Sequence, residues 1–240
     1  MNPAFDQRDA TATSDDRFRR KAARIEVAVF LFLIVPSMAF SFFAVSQGSV
    51  SFVLVSAATM LRDLSLVALV VFFLWRNREK VSSLGWTLRR GWREVGIGAA
   101  LFVPTFFGAA TLEHALRQVG LTAPSTPLPG LVSERGWSEV ALALVLVLVV
   151  AWAEETIFRG YLLLRFASVT RSRGAAVLLA ATVFSVGHGY EGTAGVITVW
   201  AIGVAFAIVY LWRKTLIAPI VMHFLQDFVG IVLPPLLAMS

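Results

Sequence analysis

Residues 139–165 read EVALALVLVLVVAWAEETIFRGYLLLR, and this stretch decides the fold. Leu142 to Trp152 is built almost entirely from Leu, Val and Ala, the texture of a helix solvated by lipid, yet Glu154, Glu155 and Arg159 follow with no breaker between. A helix satisfies its own backbone in the hydrocarbon region, but an ionisable side chain placed there costs about 3 kcal/mol or more. A chain that keeps three such groups together in one span uses them for something.

Composition extends this reading to the whole chain. Apolar residues make up 58% of the 240, charged residues only 15%, and the mean hydropathy is +0.76, far from soluble-domain averages. The apolar runs lack the alternation of a membrane barrel strand. The expected fold is therefore all-α, a polytopic transmembrane helix bundle. There is no Cys, which excludes disulfides, thiolate catalysis and Cys-ligated zinc.

Seven runs approach or exceed the roughly 20 residues that cross a bilayer core. They cover about 25–45, 52–75, 95–116, 139–170, 175–188, 194–212 and 216–233, the last ended by Pro234 and Pro235. Pro124, Pro127 and Pro129 mark a loop over 119–138. The chain divides into a basic cytoplasmic tail (1–24), N-terminal transmembrane helices and loops (25–138), a catalytic transmembrane core (139–233) and a C-terminal tail (234–240). The tail is too long and polar, and the first run too long, for a cleaved signal peptide.

Basic residues fall on alternate connections. Arg17, Arg19, Arg20, Lys21 and Arg24 precede the first run; Arg76, Arg78, Lys80, Arg89, Arg90 and Arg93 follow the second; Arg159, Arg165, Arg171 and Arg173 lie in and just after the end of the fourth; Arg213 and Lys214 follow the sixth; the alternate connections hold only Arg62, Arg117 and Arg135. The positive-inside rule then puts the amino terminus in the cytoplasm of a multi-pass protein of the inner (plasma) membrane. The net charge of +6 is explained by topology and by attraction to anionic lipid, and nucleic acid is not an expected partner.

Two further segments join the glutamates, Phe184-Ser-Val-Gly-His188 and His223-Phe-Leu-Gln-Asp227, which hold two of the three histidines. Counting about 1.5 Å per residue from the inner ends of their helices puts Glu154, His188 and His223 at roughly 14 to 22 Å, near one level of the bilayer. A carboxylate and two imidazoles at one depth suit a buried reaction centre or a proton pathway. Glu155 and Arg159, at i and i+4, suit an intrahelical ion pair. Phe184 reads as packing. Arg62 and Asp63 are consecutive on a helix and are not expected to face each other; Trp86, Trp92, Trp137 and Trp212 suit interfacial anchoring.

Glu154-Glu155-Thr-Ile-Phe-Arg159-Gly-Tyr-Leu, Phe184-Ser-Val-Gly-His188 and His223-Phe-Leu-Gln-Asp227, in this order and with Ala218-Pro-Ile-Val-Met ahead of His223, resemble the three motifs of the CPBP family. This is the family of CAAX-processing endopeptidases and bacteriocin-processing or bacteriocin-immunity proteins, also called the Abi or type II CAAX protease family. The resemblance covers about 139–232. It implies an intramembrane endopeptidase acting on a membrane-associated peptide or protein without a cofactor. Glu154 then corresponds to the general base that activates water, His188 to the catalytic histidine of the second motif, and His223 with Asp227 to the oxyanion-stabilising positions. Glu155, Arg159 and Phe184 correspond to supporting residues. At Asp227 many members have Asn, and an ionised Asp accepts but cannot donate a hydrogen bond.

Three other functions stay open on the residues alone. Zinc held by Glu154, His188 and His223 would make a metalloprotease, although no HExxH pair is present. A non-catalytic membrane protein of bacteriocin self-immunity would use the same fold as a binding surface. A transporter would use the buried Glu and His as a proton relay, although no pair of interrupted segments suggests an inverted repeat.

Overall fold

The computed structural model describes residues 20–38, 51–87, 91–122 and 136–238, and every long element among them is an α-helix. We number them α1 (20–38), α2 (Phe52–Arg76), α3 (Gly91–Gln118), α4 (Trp137–Thr170), α5 (Arg173–Val186), α6 (Gly192–Arg213) and α7 (Ile217–Ala238). Five of these, α2, α3, α4, α6 and α7, are long and apolar enough to cross a membrane. The all-helical membrane bundle thus stands, with five such helices among the described residues; the first expected run, 25–45, is described only as far as residue 38. The expected fifth span, α5, has only 14 residues, and α1 keeps Arg20, Lys21, Arg24 and Glu26 in its first turns. Most of the loop expected over 119–138, and most of the tail expected over 1–24, lies outside the described residues.

The exposure pattern is inside out relative to a soluble domain. Phe32, Leu61, Phe107, Leu148 and Ile208 face outward, whereas Glu26, Asp63, Glu155, Arg159 and His223 are buried. Lipid takes apolar side chains at no cost, so the charged groups collect where they meet one another. The main core joins Phe30 and Ile34 of α1, Val70 and Phe73 of α2, Ile157 and Tyr161 of α4 and Phe184 of α5.

Small residues set the closest crossings, as expected where association in lipid depends on packing. A Cβ at Gly98 of α3 would stand 2.6 Å from the Ala218 carbonyl oxygen of α7, and one at Gly203 of α6 would touch Ala181 and Phe184 of α5. Gly160 brings α4 against Leu84 and Leu216 in the same way.

Two wide π-helical turns interrupt otherwise continuous helices, Thr156–Leu162 within α4 and Phe228–Val232 within α7. The second explains why Pro234 and Pro235 do not end the last helix, which runs on to Ala238. The wider turn ahead of the prolines makes room for their rings, which would otherwise press on the carbonyls of the preceding turn.

Contacts at the helix ends sort the connections by side. At one end Arg165 of α4 pairs with Glu26 of α1 and with Glu79 after α2, at 2.8 and 3.0 Å, and Arg213 of α6 grips Glu94 of α3 through two bonds. At the other end the Ala194 amide of α6 donates to the carbonyl of Thr122, just past α3, at 2.9 Å. The connections rich in Lys and Arg therefore share one face of the bundle.

Candidate active site

The last residues of the pure aliphatic run in α4 deliver Glu154 and Glu155 into the interior, and the first π turn begins at the next residue. Such turns concentrate at functional sites because the extra residue re-aims side chains. The turn is braced from outside the helix. Thr156 donates its hydroxyl to the Trp152 carbonyl and accepts from the indole of Trp86 at 3.0 Å, while Trp86 stacks on Trp152. Trp86 is half-buried and packs against the π turn, whereas Trp92, Trp137 and Trp212 are exposed.

Glu155 is the hub of the cluster. Its Oε1 accepts from Arg159 at 2.6 Å, which makes the expected i, i+4 pair, and also lies 2.8 Å from His223 Nδ1 on α7. A carboxylate only accepts, so this bond assigns the proton to Nδ1 and turns Nε2 toward the remaining acids. The Arg159 guanidinium lies over the ring of Phe184 at 4.3 Å and within 5.2 Å of Phe206, and Phe184 in turn meets His223 edge-on. Two aromatic faces and one carboxylate together let a guanidinium remain fully buried.

His223 Nε2 stands between two further carboxylates, 3.5 Å from Asp227 Oδ2 and 3.8 Å from Glu154 Oε2. Asp227 is one helical turn beyond His223, and the second π segment starts immediately after it. Glu154 Oε2 is buried and makes no hydrogen bond among the described residues. Glu154, Glu155, Arg159, His223 and Asp227 therefore form one connected group, with Phe184 packed against it.

His188 lies at the edge of this group and makes no hydrogen bond or ion pair with its other members among the described residues. It lies just past the end of α5, its Nδ1 is 3.0 Å from the Phe184 carbonyl oxygen, and its ring packs on Phe184 and near Tyr190. The Phe184 ring thus contacts both His188 and His223. Among the described residues no three His, Asp or Glu side chains are grouped so as to hold a metal ion, so Glu154, His188 and His223 are not assembled as the zinc ligands considered from the sequence.

One contribution was missed. Arg62 and Asp63 of α2 do pair, with Arg62 Nε 2.8 Å from Asp63 Oδ1, and Arg62 also lies 3.7 Å from Glu154 Oε1. Helix geometry points consecutive side chains apart, but a long, flexible Arg folds back over the backbone to its neighbour. Two charges in the middle of an apolar run were the available signal.

Residues 136–229 match the family model described as type II CAAX prenyl endopeptidase Rce1-like. No curated protein and no solved structure matches the chain.

Proposed function

We propose, from the membership of residues 136–229 in the CPBP family of Rce1-like proteases, that this multi-pass membrane protein hydrolyses a peptide bond of a membrane-associated substrate with water activated by Glu154. The observation that carries the reading is the Glu154 carboxylate itself. It is buried, one of its oxygens makes no hydrogen bond among the described residues, and that oxygen lies 3.8 Å from an imidazole nitrogen. A base needs a free acceptor lone pair in a site that excludes bulk water, with a proton carrier close by.

In the proposed reaction Glu154 takes a proton from water, and the oxygen of that water bonds to the scissile carbonyl carbon. Charge then grows on the former carbonyl oxygen, where a donor or a cation is needed. The His223 ring is oriented for this by Glu155 at Nδ1, and in its imidazolium form donates from Nε2 as well. As the tetrahedral intermediate collapses, the proton held by Glu154 passes to the departing amine nitrogen and the C–N bond breaks. His188, at the rim beyond Phe184, would meet the substrate backbone or the leaving group. Asp227 bears on the same nitrogen of His223 as Glu154.

The same reading includes seven crossings, with α1 and the short α5 spanning alongside the five longer helices. The face that carries Arg165, Arg213 and their partners would be cytoplasmic, with the amino terminus on that side of the inner membrane. The substrate would be a CAAX-like or bacteriocin-related peptide held at the membrane.

The test is to reconstitute the full chain in lipid vesicles with an internally quenched, prenylated peptide ending in a CAAX sequence and, in parallel, with a quenched library of unprenylated apolar peptides. Cleavage by the wild type and its loss in Glu154→Gln is the expected result. Undiminished cleavage by a folded Glu154→Gln variant would remove Glu154 as the base.

A further inference from the structure

Arg62 and Asp63 lie outside the family match and outside all three motifs, yet they complete the charged cluster from α2. Both stand mid-helix in an apolar span, where each is costly to keep. Arg62 reaches Asp63 Oδ1 through both Nε and Nη2, at 2.8 Å each, and the same Nη2 lies 3.7 Å from Glu154 Oε1. Asp63 is 1% exposed, and its Oδ2 makes no hydrogen bond among the described residues. A lone Arg would be enough to balance Glu154. The second buried carboxylate has a different effect: it holds two nitrogens of the guanidinium and so fixes where its positive edge points.

The fixed guanidinium makes the two oxygens of Glu154 unequal. Oε1 faces Arg62, while Oε2 is left without a hydrogen bond and turned toward His223. A carboxylate free to rotate would present either oxygen to water in a range of directions, and such looseness at a reacting group is costly in rate. We propose that Arg62, held by Asp63, is a positioning residue that locks the Glu154 carboxylate with Oε2 presented for proton abstraction. This rests on the proposed role of Glu154 as the base. The pair itself forms and breaks no bond. It also makes α2 part of the working site, so that residues 136–229 alone would carry the motifs without the orientation of the base.

The experiment uses the full chain in vesicles with the two quenched peptide probes above, and reads kcat per folded molecule together with KM. Arg62→Gln is expected to lower kcat about 100-fold while KM stays within about threefold, because ground-state binding of the peptide does not involve Arg62. Arg62→Lys restores the cation and is expected to recover kcat to within about tenfold of wild type. Asp63→Asn keeps an acceptor but loses the charge that fixes the guanidinium, and is expected to fall between the two. A pair with a merely structural role would lower the melting temperature and the folded yield and leave kcat per folded molecule unchanged.

Wild-type kcat in Arg62→Gln overturns the inference, as does wild-type kcat in Asp63→Asn should Arg62→Gln not fold. If Glu154→Gln is inactive while Arg62→Gln is fully active, this inference alone falls and the proposed base stands. If Glu154→Gln remains active, the base falls and the inference falls with it. Failure of the wild type to cut either probe counts against both.

Discussion

Adjacent residues in one helix have separable tasks here. Both glutamates leave Oε2 without a hydrogen bond among the described residues, but Glu155 spends Oε1 on Arg159 and His223 and is fully buried, whereas Glu154 makes no such hydrogen bond and faces His223 Nε2 at 3.8 Å. Glu155→Gln strands the Arg159 guanidinium among aromatic rings and weakens the grip on His223, so it should destabilise the fold by about 3 to 5 kcal/mol. Glu154→Gln should leave stability within about 1 kcal/mol, since its partner Arg62 is 3.7 Å away and keeps the closer carboxylate of Asp63. Thermal melts of the two variants in the same detergent check this; equal destabilisation would make Glu154 a structural residue. Asp227 gives a second contrast. An amide at this position keeps an acceptor and gains a donor for an oxyanion, so Asp227→Asn should keep at least wild-type cleavage and Asp227→Ala should lose it roughly tenfold. A fall in Asp227→Asn as large as in Asp227→Ala would mean that the negative charge acts through His223.

At the scale of elements, the site depends on close helix crossings that hold α7 in place. Gly98 lies where α3 crosses α7, and its absent side chain leaves room for the Ala218 carbonyl, five residues before His223. Gly98→Ala forces backbone against backbone and should cost about 1 to 3 kcal/mol by overpacking. The expected readout is a lower melting temperature with some loss of cleavage as α7 is displaced; an unchanged melt would show that the crossing has slack. Of the elements themselves, α2, α3, α4 and α6 were legible from their apolar runs to within a few residues. The π turns were not. The one in α4 is packed by Gly160 against Leu84 and bonded through Thr156 to Trp86, contacts between segments far apart in the chain. The continuation of α7 through two prolines was hidden because it goes with the π turn just ahead of them, which the apolar pattern does not mark.

The whole molecule has one end where Glu26, Glu79, Glu94, Arg165 and Arg213 interlock and another where Thr122 meets Thr193. The chain contains no Cys, so single cysteines report sidedness without background. A Cys at Ser82 or at Ser168, both exposed, should react with a membrane-impermeant thiol reagent only after cells are opened, and one at Val119 should react in intact cells. Labelling at Ser82 from outside would invert the orientation and place the basic face away from the cytoplasm, against the charge rule. The same interlocking end ties α1 to the bundle: Glu26 bonds Tyr161 and Arg165 at 2.7 and 2.8 Å, which joins α1 to α4 across more than half of the sequence.

By itself the sequence determined the solvent, the secondary structure and the shortlist of reactive groups. Lipid-length apolar runs admit only helices, and each ionisable residue within one has to be explained by a partner or a role, which is why Glu154, Glu155, Arg159, His188, His223 and Asp227 stand out without coordinates. Tertiary structure alone decided who pairs with whom. Periodicity states which face of a helix a residue occupies but not which helix it faces, nor how two helices are rotated about their axes. It was the packing of α7 on α4 that gave His223 to Glu155 as well as to Asp227, the Phe184 ring that came to rest against both histidines, and the approach of α2 to α4 that brought Arg62 and Asp63 to Glu154.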